Sequence, residues 1–256
     1  MSLLGNNRSL RSGQDRFFWL FVALIFVAYA FLQAQSVLRI GLTLASLLIA
    51  ITVHECSHAW TALKLGDNTA ASRGRVSLNP LVHLDPLGTA MMVITTLTGL
   101  GIGWGKPVPV YPHRLRFGAR LGNGIVAASG PVSNLVAAVV FAGLAQVLAL
   151  FDLGIPWISL FLQYVVLINL VIALFNLLPL PPLDGHSVLI GLLSLFRGRW
   201  AYSLSNGLDS LNRFGPMLLF GLIIFTQFMG LNIIGRLVGE PAFALYRLIM
   251  GGPGLV

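Results

Sequence analysis

The stretch His54-Glu55-Cys56-Ser57-His58 lies inside an apolar run that extends from about residue 37 to residue 65. In a helix, His54 and His58 lie one turn apart on the same face, with Glu55 beside them. Two neutral imidazoles at this spacing can bind one zinc ion, and the carboxylate can accept a proton from an attacking water. Ionisable residues in an apolar segment of membrane length are costly and are usually functional. The stretch therefore predicts a metal site within a membrane-spanning helix.

The composition of the chain predicts a membrane protein. Of its 256 residues, 56% are hydrophobic and 9% are charged, and the mean hydropathy is +0.85. We predict one integral membrane domain over residues 1–256, polytopic and all-α, with about five to six transmembrane segments in a lipid bilayer. The net charge of +8 does not indicate a nucleic-acid partner, because the basic residues are dispersed between apolar runs and form no stripe. The single cysteine excludes an internal disulfide.

The apolar runs give the predicted order of the spans. An N-terminal span is expected at 17–34, after a basic segment that we place in the cytosol. The core of the domain, at 37–196, begins with the span that carries the two histidines and includes further spans at 121–151 and 156–178. A polar interval follows, and then a C-terminal span at 214–237.

Two segments near the histidine pair do not resemble ordinary spans. Residues 70–78 alternate loosely, which predicts a short β-hairpin or edge strand that could receive an extended substrate, although a structured cytosolic loop explains the pattern equally well. Residues 87–104 are apolar and rich in Gly and Thr, so they could cross the membrane or re-enter it. The loop at 106–120 has four basic residues and no acid. This favours a re-entrant segment, because a full crossing would place a basic loop outside.

A catalytic zinc site usually has three protein ligands, so the two histidines need a partner. Asp184 is favoured. The preceding proline-rich stretch, Pro179-Leu180-Pro181-Pro182, cannot continue a helix, and the extended chain that it forms places Asp184 within the depth of the membrane. Asp85 is the second candidate and His186 the third.

A further motif lies in the span that begins at residue 121. The sequence Gly130-Pro131-Val132-Ser133-Asn134 could produce a local break in the helix. A helix kinked at Pro131, with Asn134 as an interhelical hydrogen-bond partner, explains it equally well.

Three motifs, each in its own apolar segment and in this order, resemble the site-2 protease family of intramembrane zinc metalloproteases. They are His54-Glu55-x-x-His58, Gly130-Pro131-x-x-Asn134 and Leu183-Asp184-Gly185. The stretch from Asn79-Pro80 to Val110 resembles the bacterial and archaeal members, so the resemblance covers residues from about 40 to 190. No stretch of this sequence fits a PDZ or CBS module, and how activity is regulated stays open.

The resemblance implies the roles of these residues. His54, His58 and Asp184 would bind one Zn²⁺ per chain, and Glu55 would be the general base. Asn134, Gly130 and Pro131 would bind the substrate backbone.

The function that we expect is hydrolysis of peptide bonds in or near the transmembrane helices of other membrane proteins, as in regulated intramembrane proteolysis. The expected location is a bacterial or archaeal plasma membrane, with the active site toward the cytosol. The alternative is a transporter or metal-handling protein that uses the same cluster as a permeation site, which predicts two repeated halves with broken helices. A pseudoprotease would lack Glu55 or a ligand.

Overall fold

The structure is a computed structural model, and it describes residues 37–98, 103–153 and 155–251. The predicted span at 17–34 lies outside these residues. The described residues are almost entirely helical, which confirms the predicted all-α class. In chain order their helices are α1 Val37–Lys64, α2 Thr69–Ser72, α3 Pro86–Thr98, α4 Ala119–Leu150, α5 Pro156–Asn176, α6 Asp184–Leu193, α7 Arg199–Leu211, α8 Gly215–Phe228 and α9 Glu240–Met250.

Four helical stretches of the described residues are long and apolar enough to cross a membrane. They are α1, α4, α5 and the stretch Arg199–Thr226, which includes α7 and most of α8. A 3₁₀ turn at Asn212–Phe214 joins α7 to α8. A bilayer core of about 30 Å needs about 20 helical residues, and each of the four stretches reaches that length.

The core lies where α4 and α5 meet the C-terminal helix. Ala138 and Ala142 of α4 pack with Val166 of α5, and Ala242 and Tyr246 of α9 are buried in the same cluster. Small residues let the helix backbones approach closely, which is the usual way in which membrane helices pack. Helix α9 is therefore part of the packed domain.

Helix α6 crosses α4 at two glycines. A Cβ added to Gly124 would lie 2.9 Å from the Cα atom of Gly191, so neither position has room for a side chain. This close approach holds the second half of α6 against α4, and Asp184 is the first residue of the same short helix. The structure begins α6 at Asp184, just after the proline-rich stretch.

The residues that precede α3 and those that follow it pair with each other. Leu84, just before α3, forms an antiparallel bridge with Gly105 after it, and the backbone N–H of Lys106 donates to the carbonyl of His83 at 2.7 Å. Helix α3 has 13 residues, a length of about 20 Å, which is short of a bilayer core. Leu84 and Gly105, which flank α3 in the chain, lie next to each other. This geometry supports the predicted re-entrant segment.

The hairpin that was predicted at 70–78 is absent from the described structure, which is a correction. Residues 69–72 form the short helix α2, and turns and bends follow. The Asp67 carboxylate accepts from the backbone N–H and from the hydroxyl of Thr69, which favours a helical turn there. Gly74 then reverses the chain with φ of 69°.

The predicted C-terminal span at 214–237 is wrong in its bounds. The helical stretch begins earlier, at Arg199, and ends at Phe228. Gly230 adopts φ of 67°, a left-handed conformation that glycine tolerates and that ends a helix.

Candidate metal centre

Three potential ligands converge between α1 and α6. The Nε2 atom of His54 lies 2.9 Å from Oδ2 of Asp184, and Nε2 of His58 lies 3.3 Å from the same oxygen. Both histidines are buried and Asp184 is half-buried. Within the described part of the chain, these are the His, Cys, Asp and Glu side chains that come close enough together to bind a metal ion.

The other two candidates for third ligand lie outside this cluster. Asp85 caps the first turn of α3, where its Oδ1 accepts from the backbone N–H of Gly88 at 2.8 Å. His186 is buried on α6 near the backbone of Leu208 on α7. The structure therefore favours Asp184 over Asp85 and His186.

The three side chains fit zinc because their facing atoms, two imidazole nitrogens and one carboxylate oxygen, all carry lone pairs that a cation between them would bind. The Nδ1 atom of His54 lies 2.7 Å from Oδ1 of Asn134, and Nδ1 of His58 lies 2.7 Å from the carbonyl of Val126. Each Nδ1 therefore carries the proton, which leaves the lone pairs of both Nε2 atoms facing the Asp184 oxygen. Two imidazoles and one carboxylate, with a fourth position open, form the usual ligand set of a catalytic zinc site.

Glu55 lies beside the ligands and faces an extended segment. It is half-buried on α1 and lines the same cavity as the three ligands. A Cβ added to Gly105 would lie 3.2 Å from Oε1 of Glu55, so the backbone of the segment after α3 passes close to this carboxylate. Glu55 is thus placed to exchange protons with a molecule in the cavity.

Gly130 lies against the two histidine rings. A Cβ at this position would come within 2.5 Å of Nε2 and Cε1 of His58 and 2.6 Å of Cε1 of His54. The next residue, Pro131, is buried within α4, which continues past it to Leu150. The structure therefore has no break in the helix at this motif.

Asn134 is fully buried, and its hydrogen bonds all lie inside the protein. Its Oδ1 pairs with His54, and its Nδ2 donates to the carbonyl of Ala50 at 2.9 Å and to Oδ1 of Asn169 at 2.8 Å. The interpretation of Asn134 as an interhelical hydrogen-bond partner is confirmed.

The substrate-binding role that the resemblance implied for this motif stays a prediction. Gly130, Pro131 and Asn134 are all buried, and none of the three is among the residues that line the cavity. The reason is that α4 turns this motif toward the two histidines of α1. In this structure the motif therefore contacts the two histidine ligands.

A large apolar cavity opens beside the cluster. Its volume is about 1230 Å³, and its walls come from α1, α3, α4, α5, α6, α8 and residues 103–110. Sequence reasoning did not identify several of its residues, which are Met91, Met92, Trp104, Asn176, Met217 and Phe220. The one available signal was Asn176, a polar residue just before the proline-rich stretch. The others look like ordinary lipid-facing positions in the sequence.

The extended segment after α3 is held by Arg75. This side chain is 5% exposed, and its guanidinium donates to the carbonyls of Val82 and Lys106. Burial lowers the pKa of Arg75, while the Glu55 carboxylate acts in the opposite direction, so the two charges lie within electrostatic reach. Sequence reasoning did not identify this role of Arg75.

Asp67 holds the far end of the same segment. Its Oδ2 accepts from the backbone N–H of Tyr111 at 2.6 Å. Burial alone would raise the pKa of this carboxyl, but hydrogen bonds from Thr69 and Tyr111, with the Arg114 cation nearby, hold it below its usual value. Arg75 and Asp67 together fix the backbone that faces Glu55.

The fold and the cluster define a helical membrane protein with a His-His-Asp metal centre and an adjacent carboxylate. Residues 154–222 match the model of Peptidase family M50. This match, together with those to the relatives below, confirms the predicted resemblance to the site-2 protease family.

Curated relatives match a similar share of the chain. The "Putative zinc metalloprotease YwhC" of Bacillus subtilis is 40% identical over 153 residues, which cover 56% of this chain and 65% of the relative. The "Putative zinc metalloprotease Rip2" of Mycolicibacterium smegmatis is 36% identical over 156 residues, covering 58% of this chain and 56% of the relative. The protein of the same name from Mycobacterium tuberculosis is 34% identical over 154 residues, with the same coverage. The chain thus matches between 56% and 65% of the length of these relatives. No solved structure matches the chain.

Proposed function

We propose that this chain is a zinc metalloprotease that hydrolyses peptide bonds in or next to the transmembrane helices of other membrane proteins. One observation carries the proposal: Nε2 of His54, Nε2 of His58 and Oδ2 of Asp184 converge as acceptors beside Glu55. The names of the relatives support both zinc and proteolysis. The apolar spanning helices around the site support a substrate that lies in the bilayer.

The ligands hold the metal and Glu55 moves the protons. When bound to His54, His58 and Asp184, zinc supplies Lewis-acid polarisation of the scissile carbonyl and lowers the pKa of water toward about 7. Glu55 accepts a proton from the water whose oxygen bonds to the carbonyl carbon. It then gives this proton to the amide nitrogen as the C–N bond breaks. The products are a carboxylic acid and an amine.

The cavity accommodates the substrate. A helical substrate hides its carbonyls in its own hydrogen bonds, so a segment of it must unwind before hydrolysis. The cavity is mostly apolar, which suits the side chains of a membrane helix. Asn176 and most of residues 103–110 lie on its walls, and their amide and backbone groups can bind an unwound backbone. The substrate class is therefore a membrane-embedded polypeptide.

We place the protein in a bacterial or archaeal plasma membrane, with the site accessible from the cytosol. The re-entrant geometry of α3 supports this orientation, because the basic residues at 106–120 then lie on the same side as the basic residues at 73–75. A hydrolase buried in lipid needs a route for water, and the cavity provides one. Regulated intramembrane proteolysis is the physiological process that we propose for it.

The test compares wild type with Glu55→Gln in lipid vesicles that contain a purified transmembrane substrate. Glu55→Gln removes the base and leaves the three ligands, so we expect normal zinc content and loss of at least 10²-fold in cleavage rate. The control is Gln163→Leu on α5, whose side chain does not line the cavity. Cleavage by Glu55→Gln at the wild-type rate would refute the mechanism.

A further inference from the structure

The amide of Asn134 has one orientation that satisfies its surroundings. Its nitrogen has two hydrogens, and two acceptors lie within reach, the carbonyl of Ala50 at 2.9 Å and Oδ1 of Asn169 at 2.8 Å. The oxygen therefore faces Nδ1 of His54 at 2.7 Å. A flipped amide would bring its oxygen against two other oxygens and leave its hydrogens without acceptors, which is costly in a buried site.

This orientation decides which nitrogen of His54 carries the proton. An amide oxygen can only accept, so Nδ1 must be the N–H donor and Nε2 keeps the lone pair. A flipped Asn134 would present its NH₂ group, Nδ1 would become the acceptor, and Nε2 would carry the proton. A protonated Nε2 cannot bind a metal. The metal-binding form of His54 thus depends on the direction in which Asn134 points.

Asn169 on α5 fixes that direction together with the carbonyl of Ala50. Its side chain is fully buried, and its own Nδ2 donates to the carbonyl of Val165 at 2.8 Å. Because this bond turns Oδ1 of Asn169 toward Asn134, the neighbouring amide can only donate to it. We propose that Asn169 is a positioning residue that acts through Asn134 to hold His54 in its zinc-binding tautomer. This inference rests on the zinc site of the proposed function and adds a residue from a third helix.

His58 provides an internal comparison. Its Nδ1 pairs with the backbone carbonyl of Val126 at 2.7 Å, and a backbone carbonyl in a helix cannot exchange with a donor. The tautomer of His58 is therefore set independently of the asparagine pair. Loss of Asn169 should alter His54 and leave His58 unchanged, a pattern that general loosening of the fold would not produce.

The experiment measures zinc affinity and the histidine tautomers of the whole chain in detergent micelles. Asn169→Leu keeps the approximate volume and removes the acceptor, and we expect zinc affinity to fall about tenfold, the lower end of the range for groups that orient metal ligands. Asn169→Asp should restore affinity, because a neutral carboxylic acid accepts from Asn134 through its carbonyl and donates to Val165 through its hydroxyl. Gln163→Leu on the same helix is the control for removing an amide.

The tautomers are read in zinc-free protein at about pH 8 from ¹⁵N spectra of histidine-labelled samples. The His54 signal is identified by its absence in His54→Gln. We expect the Nδ1–H form in wild type and in Asn169→Asp, and a mixture with the Nε2–H form in Asn169→Leu at His54 alone. Asn169→Ala and Asn169→Val provide smaller apolar side chains, so the comparison does not depend on the folding of one variant.

The outcomes separate this inference from the function on which it rests. If wild type binds no zinc, the metalloprotease proposal fails. If wild type binds zinc and the apolar variants bind it equally well with an unchanged His54 tautomer, the role of Asn169 is overturned. An equal loss of zinc affinity in Gln163→Leu would also overturn it, because the effect would then be unspecific.

Discussion

Gly130→Ala tests whether the backbone of α4 sets the position of the metal ligands. The added Cβ would lie 2.5 Å from Nε2 of His58 and 2.6 Å from Cε1 of His54, whereas ordinary contacts begin at 3.4 Å. One or both rings must therefore move by about 1 Å, several times the deviation of about 0.2 Å that metal–ligand distances tolerate. The rings are also tied by their Nδ1 bonds to Asn134 and Val126, so they cannot move freely.

The expected loss follows from the cost of overpacking. Inserting a methyl group into a tightly packed site costs about 1–3 kcal/mol. If that cost falls on the zinc-bound state, the dissociation constant for zinc rises by about 5- to 150-fold. Without zinc the rings can rotate away, so the metal-free variant should retain most of its stability. Alanine also favours the helix over glycine by about 0.5–1 kcal/mol.

Gly143→Ala is the matched control. Gly143 lies on the same helix, and a Cβ there would have no atom within 4 Å. The assay is the rise in melting temperature with added zinc, together with competition against a chromophoric chelator. Zinc at 100 times the wild-type dissociation constant stabilises wild type by about 2.7 kcal/mol, and a tenfold weaker variant by only about 1.4 kcal/mol. If Gly130→Ala binds zinc as tightly as Gly143→Ala, the packing argument is wrong.

Two further predictions concern acidic residues. Asp184→Ala should lose at least 10²-fold in zinc affinity, because it removes one of three ligands, whereas Asp85→Ala should keep the wild-type affinity. Competition for zinc against a chelator measures both variants. The opposite result would transfer the ligand role to Asp85. Asp67 has a lowered pKa in the folded state, so its contribution to stability is present above the unfolded value of about 3.9 and is lost as the pH falls below it. Melting curves from pH 6 to pH 3 should therefore show a smaller decline for Asp67→Asn than for wild type, and parallel curves would contradict this assignment.

The local part of the site could be predicted because it depends on helical periodicity. His54 and His58 are one turn apart in any helix, and an apolar run of membrane length makes a helix the expected structure. Asp184 required one further step, which was the depth at which a proline-rich stretch ends. The re-entrant segment was inferred from the sign of the charges at 106–120, and the contact between Leu84 and Gly105 agrees with that inference.

Sequence reasoning was incomplete or wrong where partners distant in the sequence position a residue. Asn134 is 80 residues from His54 and 35 from Asn169, and nothing near it in the sequence indicates either partner. Sequence reasoning did not identify the role of Arg75, whose guanidinium binds two carbonyls on either side of α3. The short helix α2 replaced the expected hairpin because the Asp67 carboxylate, also bound to Tyr111, organises the turn.

These distant contacts link the metal site to the assembly of three helices. His54 on α1, Asn134 on α4 and Asn169 on α5 form one hydrogen-bonded chain that ends at backbone carbonyls. In an apolar surrounding, each polar group without a partner raises the free energy of the folded state. A hydrogen-bonded network with only some of its bonds formed is therefore less stable than an apolar core without the network. The three helices must therefore dock in one register to satisfy the chain, and that same register orients Nε2 of His54 toward Asp184. The buried polar residues raise the free energy of placing these segments in a membrane. The same residues orient the His54 ring before a metal binds.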